Sequence, residues 1–184
     1  MIYPIVAYGD PILRKKAVAI KKGTVLQRLV QDMFDTVQLA QGMGLAAPQI
    51  GKNIRLFVVD FTHKLSTTNS VKRYKKALIN PILKIDETVT MSMHEEGCLS
   101  IPNIFVEVPR REKITIQYLD PQWQPHEEEW TGFPARIIQH EYDHLEGKLH
   151  IDYAASLRKK LLKSKLTAIR KGKVDVPYKM CFPS

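Results

Sequence analysis

The segment from His140 to His150 reads HEYDHLEGKLH, and it restricts the fold more than any other part of the chain. Residues four apart lie on one face of a helix, so His140 and His144 can direct both imidazoles at one metal ion. Pro134 and Gly147 are residue types that favour the start and the end of a helix. The pattern therefore predicts a metal-binding helix from about 134 to 147.

Glu141 lies between the two histidines, where a carboxylate can take a proton from an attacking water and later deliver it to a leaving amine. This arrangement is typical of metal-assisted amide hydrolysis. HExxH alone is only moderately specific, because a charged surface helix could also carry it. The apolar neighbours Ile137, Ile138 and Leu145 favour a buried helix, and hence a site.

Two residues could supply a third metal ligand. His150 completes H-E-x-x-H-x-x-G-x-x-H, the zinc signature of metzincin endopeptidases, in which Gly147 would turn the chain and Met180 could form the methionine turn. Cys98 is the alternative, since a thiolate with two imidazoles leaves a fourth position open for water. A basic helix occupies much of the chain after His150, and no secretion signal precedes the domain, so the context favours Cys98.

Length and composition indicate one globular domain over residues 1–184, since the chain has 184 residues of which 44% are hydrophobic. No apolar run approaches the ~20 residues that cross a bilayer, and the N-terminus lacks the features of a signal peptide. Cys98 and Cys181 are too few for a disulfide framework. We expect a cytoplasmic monomer that does not bind membranes.

The net charge of +9 is concentrated near the C-terminus. A helix is predicted over about 154–172, and the stretch from Arg158 to Lys173 contains many cations and no acidic residue. This surface could meet nucleic acid, or it could simply be solvated. Apolar residues at helical spacing are expected to pack one side of the helix on the core; they are Leu157, Leu161, Leu162, Leu166 and Ile169.

Periodicity also predicts an earlier helix, with Thr24 and Gln27 as a capping pair and Gly42 at its end. The run IRLFVVD is short and β-branched enough to predict a strand, and further strand candidates are ALINPILKI, IFVEVP, KITIQYLD and HEEEWTG. The polar segment 63–76 is expected to form a loop. The order of elements predicts an α+β fold, with antiparallel sheets packed around the HExxH helix and a helix at the C-terminus.

Three motifs together resemble those of the peptide deformylases. They are GMGLAAPQ from Gly42 to Gln49, EGCLS from Glu96 to Ser100, and QHEYDHLEG from Gln139 to Gly147. They stand in the family's order and spacing, and the resemblance extends over roughly residues 3–153. It implies a hydrolase that removes the formyl group from the N-terminal formylmethionine of new proteins in a bacterial cytoplasm and releases formate.

The resemblance also implies roles for individual residues. Cys98, His140 and His144 would hold one divalent ion, usually Fe²⁺, with Zn²⁺, Ni²⁺ or Co²⁺ able to take its place. Glu141 would be the general base and acid. The side chain of Gln49 and the backbone N–H of Leu99 would stabilise the oxyanion, since preorganised neutral donors meet developing charge without rearrangement.

In the family, the peptide binds as an added strand, so the resemblance implies pairing with the backbone of Met43 and Gly44. The residues expected to bind substrate are Gly42, Met43, Gly44, Gly97, Ile137 and Ile138. Ile137, Ile138 and Leu99 are expected to form the apolar pocket for the methionine side chain. The basic C-terminal helix is comparable with the helix by which family members approach the ribosome.

Overall fold

The computed structural model describes residues 1–64 and 71–183, except for the side chain of Lys64. Its strands are β1 (Ile5–Val6), β2 (Gly44–Ala46), β3 (Leu56–Lys64), β4 (Val71–Lys84), β5 (Met91–Cys98), β6 (Ile101–Arg111), β7 (Lys113–Leu119), β8 (Pro125–Thr131) and β9 (Met180–Cys181). Its α-helices are α1 (Gln27–Leu39), α2 (Gly132–Leu145) and α3 (Ser156–Arg170). Short 3-10 helices lie at Pro11–Arg14, Ala47–Ile50 and His150–Tyr153.

The main sheet is antiparallel, with strand order β2-β3-β4-β7-β8, and β5 and β6 form a separate antiparallel hairpin. Strands β1 and β9 pair in parallel and bring the two ends of the chain together. This arrangement confirms the predicted α+β fold with antiparallel sheets and a C-terminal helix. Because β2 is an edge strand of the main sheet, one of its edges is open to the site described below.

Helix α2 is held between the main sheet and the β5–β6 hairpin. Ala135, Ile138 and Leu145 are fully buried and share a core cluster with Phe57 and other residues of the main sheet. Opposite this apolar face, polar side chains of α2 reach the hairpin. The helix therefore connects the two sheets, and its central residues lie where the sheets approach each other.

The predicted start of α1 is wrong. The helix begins at Gln27, and Leu26 occupies the capping position without a side-chain hydrogen bond. The Thr24 hydroxyl instead donates to the Lys21 carbonyl at 2.7 Å, so it is not free to cap the helix. The left-handed residue that follows the helix is Gln41, with φ of 55°, rather than Gly42.

The expected loop at 63–76 is wrong at both its ends. His63 pairs with Lys72 and Lys64 with Val71, so β3 and β4 run into the polar segment. The rest of that prediction, residues 65–70, lies outside the described residues. Strands β1, β2, β5 and β9 were not predicted; β1, β2 and β9 have only two or three residues each, and the sequence of β5, MSMHEEGC, contains no β-branched residue.

Helix α3 forms where it was predicted but packs less than expected. Leu162 and Ile169 are buried, whereas Leu157 and Leu161 are 70% and 66% exposed. The prediction that all its apolar residues face the core is therefore wrong for these two leucines. In the part of the chain that the structure describes, no helix has both the length and the apolar character needed to cross a membrane.

Candidate active site

Cys98, His140 and His144 form a potential metal centre, because their ligand atoms all lie within 4.8 Å of one another. Cys98 ends β5, and both histidines lie on the same face of α2. The His144 Nε2 atom is 3.3 Å from Cys98 Sγ. Metal–ligand bonds of about 2.1 and 2.3 Å in a tetrahedral site separate nitrogen and sulfur by roughly 3.5 Å. The donor set therefore fits one divalent ion and leaves a coordination position open.

Glu96 orients the first of these histidines. Its carboxylate lies 2.8 Å from His140 Nδ1, which leaves Nε2 to face the centre. Burial would raise the pKa of Glu96, but hydrogen bonds from His140 and Arg110 outweigh it and hold the pKa well below its usual range. Arg136 also pairs with Glu96, at 2.8 Å. Glu96 thus remains ionised as an acceptor.

A second ion pair anchors α2 to the hairpin. Arg110 on β6 donates to Asp143 at 2.6 Å, and the Tyr153 hydroxyl donates to the same carboxylate at 2.8 Å. The sequence had assigned no role to Glu96. A carboxylate beside a candidate ligand is a common partner for a ligating histidine, and that signal was present in EGCLS.

The charges around Cys98 give it thiolate character. Burial would raise the pKa of its thiol, but the neighbouring imidazoles, His144 above all, hold that pKa well below its usual range. For His140, burial would lower the pKa, yet hydrogen bonds with Cys98 and Glu96 raise it well above the usual value. A thiolate is the form of cysteine that binds metals.

The Glu141 carboxylate is buried beside the ligand group, and its Oε2 atom has no hydrogen-bond partner among the described residues. Burial raises the pKa of Glu141 to about 7, against the opposing charges of His140 and His144. A Cβ atom at position 44 would lie 2.5 Å from Glu141 Oε1. Gly44 therefore leaves the room that the carboxylate occupies.

Gln49 presents its amide nitrogen to the same centre. Its Oε1 accepts a hydrogen bond from the Ala46 N–H at 2.8 Å, which fixes the orientation of the amide. Its Nε2 lies 3.5 Å from Cys98 Sγ and 3.3 Å from Ser100 Oγ. The side chain is therefore a fixed donor directed at the ligand group.

A cavity of about 560 Å³ opens onto these residues. Of the residues expected to bind substrate, its walls contain Gly42, Met43, Gly44, Gly97, Leu99 and Ile137. Ile138 is instead fully buried in the core beneath α2, because neighbouring residues on a helix point about 100° apart. The expectation that Ile138 lines the methionine pocket is therefore wrong. Phe105 and Phe133, which the sequence did not indicate, also line the cavity.

His150 lies outside the ligand group. Its Nε2 is 3.2 Å from the carbonyl oxygen of Ile104, and because a carbonyl only accepts, this nitrogen carries the proton. Met180 lies in β9, paired with Ile5, rather than in a methionine turn. The geometry therefore does not favour an endopeptidase with His150 as third ligand.

The antiparallel α+β fold, the HExxH helix and the Cys/His/His centre define a metal-dependent hydrolase. The family model for polypeptide deformylase matches residues 2–160. A peptide deformylase of Cytophaga hutchinsonii is 47% identical over 184 residues, which span 100% of this chain and 98% of that protein. This chain therefore belongs to the peptide deformylase family.

Solved structures agree with this assignment. Peptide deformylase from Thermus thermophilus superimposes with a TM-score of 0.82 at 35% identity, over 94% of this chain and 99% of that one. A Met-Ala-Ser-bound class I type b peptide deformylase from Acinetobacter baumannii superimposes with a TM-score of 0.74 at 30% identity, over 83% of this chain and 98% of that one. The chain is a metalloenzyme that removes the N-formyl group from newly made peptides, as the sequence motifs predicted.

Proposed function

We propose that Cys98, His140 and His144 hold one divalent ion and that Glu141 moves the protons of the reaction beside it. The observation that carries this proposal is the position of the buried Glu141 carboxylate, with an unpartnered oxygen next to three convergent ligand atoms. A buried carboxylate beside convergent ligand atoms is positioned to exchange protons with the reacting water. We assign Cys98 rather than His150 as the third ligand.

A divalent ion in this set would polarise the formyl group and make water a stronger nucleophile. Glu141 takes a proton from the attacking water and delivers it to the departing amine nitrogen. Gln49 Nε2 and the Leu99 N–H donate to the negative charge that develops on the formyl oxygen. Because the Gln49 amide is already fixed by Ala46, this donation requires little reorganisation.

The open edge of β2 is the proposed position of the peptide backbone. The Met43 carbonyl accepts from the Asp60 N–H on β3, at 2.9 Å. Backbone groups alternate in direction along an antiparallel strand, so those of Gly44 turn away from β3 and towards the cavity. We therefore assign main-chain pairing with the peptide to Gly44 and not to Met43, for which such pairing was also expected, because the Met43 carbonyl is bound to β3; the half-exposed Met43 side chain lines the cavity.

The methionine side chain is proposed to enter the apolar part of the cavity, between Ile137, Leu99 and Phe133. The tripeptide in the Acinetobacter baumannii structure begins with methionine, which supports this choice of substrate. A formyl carbon carries only hydrogen, so a narrow space at the metal centre accepts it and excludes larger acyl groups. Main-chain pairing then lets the enzyme treat many different nascent chains.

We propose Fe²⁺ as the ion in the cell, with Zn²⁺, Ni²⁺ or Co²⁺ as substitutes. The family resemblance carries this choice, because a Cys/His/His set suits zinc equally well. Iron beside a thiolate is open to oxidation. Iron-loaded enzyme is therefore expected to lose activity in air faster than under nitrogen, and equal activity over several hours would contradict the assignment of iron.

The decisive test is formate release from a formyl-Met peptide by anaerobic, iron-loaded protein. Cys98→Ala and Glu141→Gln are each expected to lose at least about a hundredfold in activity, because each removes a group used in the transition state. His150→Gln is the matched control, since its amide can still donate to the Ile104 carbonyl. It is expected to stay within about threefold of wild type. Loss in His150→Gln, with activity retained in Cys98→Ala, would reverse the ligand assignment.

We further propose that the enzyme acts as a monomer in a bacterial cytoplasm, and that α3 brings it to the ribosome. The cations of α3 are all exposed, and ribosomal RNA is a polyanion available where new chains emerge. Co-sedimentation with ribosomes should weaken steeply with salt. Binding that does not depend on salt would argue against this contact.

A further inference from the structure

The chain after α3 returns to the active site, and it lies outside the residues that the family model matches. We define the C-terminal tail as residues 172–183. It turns at Gly172, whose φ is +71°, and ends in β9, which pairs with β1. Backbone hydrogen bonds of 2.8 Å fix this pairing, from the Ile5 N–H to Lys179 and from the Ala7 N–H to Cys181. The tail is therefore anchored.

Between Gly172 and β9, the tail forms part of the cavity wall. Residues 175–178 are among those that line the cavity. The ring of Tyr178 packs against the core cluster around α1, and its hydroxyl donates to the carbonyl oxygen of Leu99 at 2.9 Å. Burial raises the pKa of Tyr178 to about 12, and the nearby Cys98 charge adds to the effect. The hydroxyl thus keeps its proton.

The group that Tyr178 holds belongs to a tight turn. Cys98 pairs with Ile101, so Leu99 and Ser100 are the two central residues of the β5–β6 hairpin turn. The peptide between these two residues carries the Leu99 carbonyl, and the Leu99 N–H lies on the peptide before it. Tyr178 binds the Leu99 carbonyl, and the Tyr8 N–H binds the next carbonyl, of Ser100, at 2.9 Å.

We propose that Tyr178 is a positioning residue of the active site: by holding the carbonyl of Leu99 it restrains the backbone of that residue, and with it the Leu99 N–H on the preceding peptide, which donates to the formyl oxygen. This inference rests on the proposed function of Leu99. A donor must be aligned with the transition state to contribute, so a small rotation of the turn weakens catalysis while ground-state binding is kept. The tail thus contributes to turnover without touching the reacting atoms.

Tyr178→Phe tests this directly, because it removes the hydroxyl and keeps the ring. The kcat for a formyl-Met peptide is expected to fall about tenfold, with KM within about twofold, as for loss of one hydrogen bond felt only in the transition state. Tyr3→Phe is the matched control, since Tyr3 packs against the same core cluster and its hydroxyl has no hydrogen bond within the described part of the chain. Its kcat is expected to match wild type.

A second readout does not depend on turnover. Amide hydrogen exchange at Leu99 and Ser100 should quicken in Tyr178→Phe and stay unchanged in Tyr3→Phe, with similar melting temperatures for both variants. An unchanged kcat in Tyr178→Phe would overturn the proposal. A lower kcat together with a higher KM and a lower melting temperature would also overturn it, because that combination indicates a purely structural role. Wild-type protein that releases no formate would instead refute the proposed function itself.

Discussion

Helices α2 and α3 are almost equally long and both carry aliphatic residues at helical spacing, yet they are buried to very different degrees. Helix α2 buries most of its length, including polar residues such as Arg136, Gln139 and Glu141. Helix α3 buries only Leu162 and Ile169 among its described residues. Periodicity therefore predicts that a helix forms, but the number of surfaces around it decides how deeply it is buried.

The surroundings of the polar residues explain the difference. Gln139 of α2 exchanges hydrogen bonds with the backbone of Arg111, and Arg136 donates to Glu96 and to the Val108 carbonyl. The cations of α3 are exposed, and Lys159 only reaches the Asp152 carbonyl, at 2.7 Å. A buried polar group needs a partner, and the β5–β6 hairpin supplies such partners to α2.

The largest predicted effect comes from the ion pairs beneath α2. Arg110→Met should destabilise the protein by about 3 kcal/mol or more, because the carboxylates of Glu96 and Asp143 lose the cation that balances part of their buried charge. Urea unfolding measures the change. Arg158→Met on α3 is the matched control and should stay within about 0.5 kcal/mol, since Arg158 is exposed. Similar losses in both variants would show that the two helices do not differ as described.

The glycines that end the two helices offer a closer comparison, since Gly147 and Gly172 both have φ of +71°. A Cβ atom at Gly147 would lie 2.5 Å from the backbone oxygen of Arg14, whereas one at Gly172 would lie 3.5 Å from the Phe182 ring. Gly147→Ala should therefore cost about 2–3 kcal/mol, combining strain and clash. Gly172→Ala should cost about 1 kcal/mol, from strain alone. Thermal melts of both variants measure these losses of stability, and equal losses in the two variants would contradict the clash at Gly147.

Adjacent leucines of α3 test its partial packing. Leu162→Ala should destabilise the protein by about 2 kcal/mol, because Leu162 is only 3% exposed. Leu161→Ala should change stability by less than about 0.5 kcal/mol, because that side chain is mostly in water. Chemical unfolding of both variants distinguishes them. A large loss in Leu161→Ala would mean that another surface covers it in solution.

The smallest effect on the enzyme itself is expected from the charges of α3. Reversing Lys160 and Lys163 to Glu should leave formate release within about twofold and stability within about 0.5 kcal/mol, since both side chains are exposed. The same variant should bind ribosomes more weakly. The Lys→Gln pair at these positions separates loss of attraction from added repulsion. Unchanged ribosome binding in both double variants would show that α3 does not contact the ribosome.

Sequence reasoning located much of the candidate site, because each motif is short and its chemistry is local. The spacing of His140 and His144 required only helical geometry, and the motifs around Gln49 and Cys98 identified the remaining polar groups. Sequence reasoning did not reveal how one motif constrains another. Gly44 was expected to admit the peptide, and the structure adds that it makes room for the Glu141 carboxylate.

The sequence by itself determined the helices, most strands, the family and a short set of candidate ligands, because periodicity and motif spacing are properties of neighbouring residues. Tertiary structure decided the rest. Only packing brings the end of β5 against α2, encloses Glu96 between arginines, buries Ile138 away from the cavity and returns Tyr178 to the Leu99 carbonyl. These contacts join residues distant along the chain, and their energies depend on burial and partners that no local pattern records.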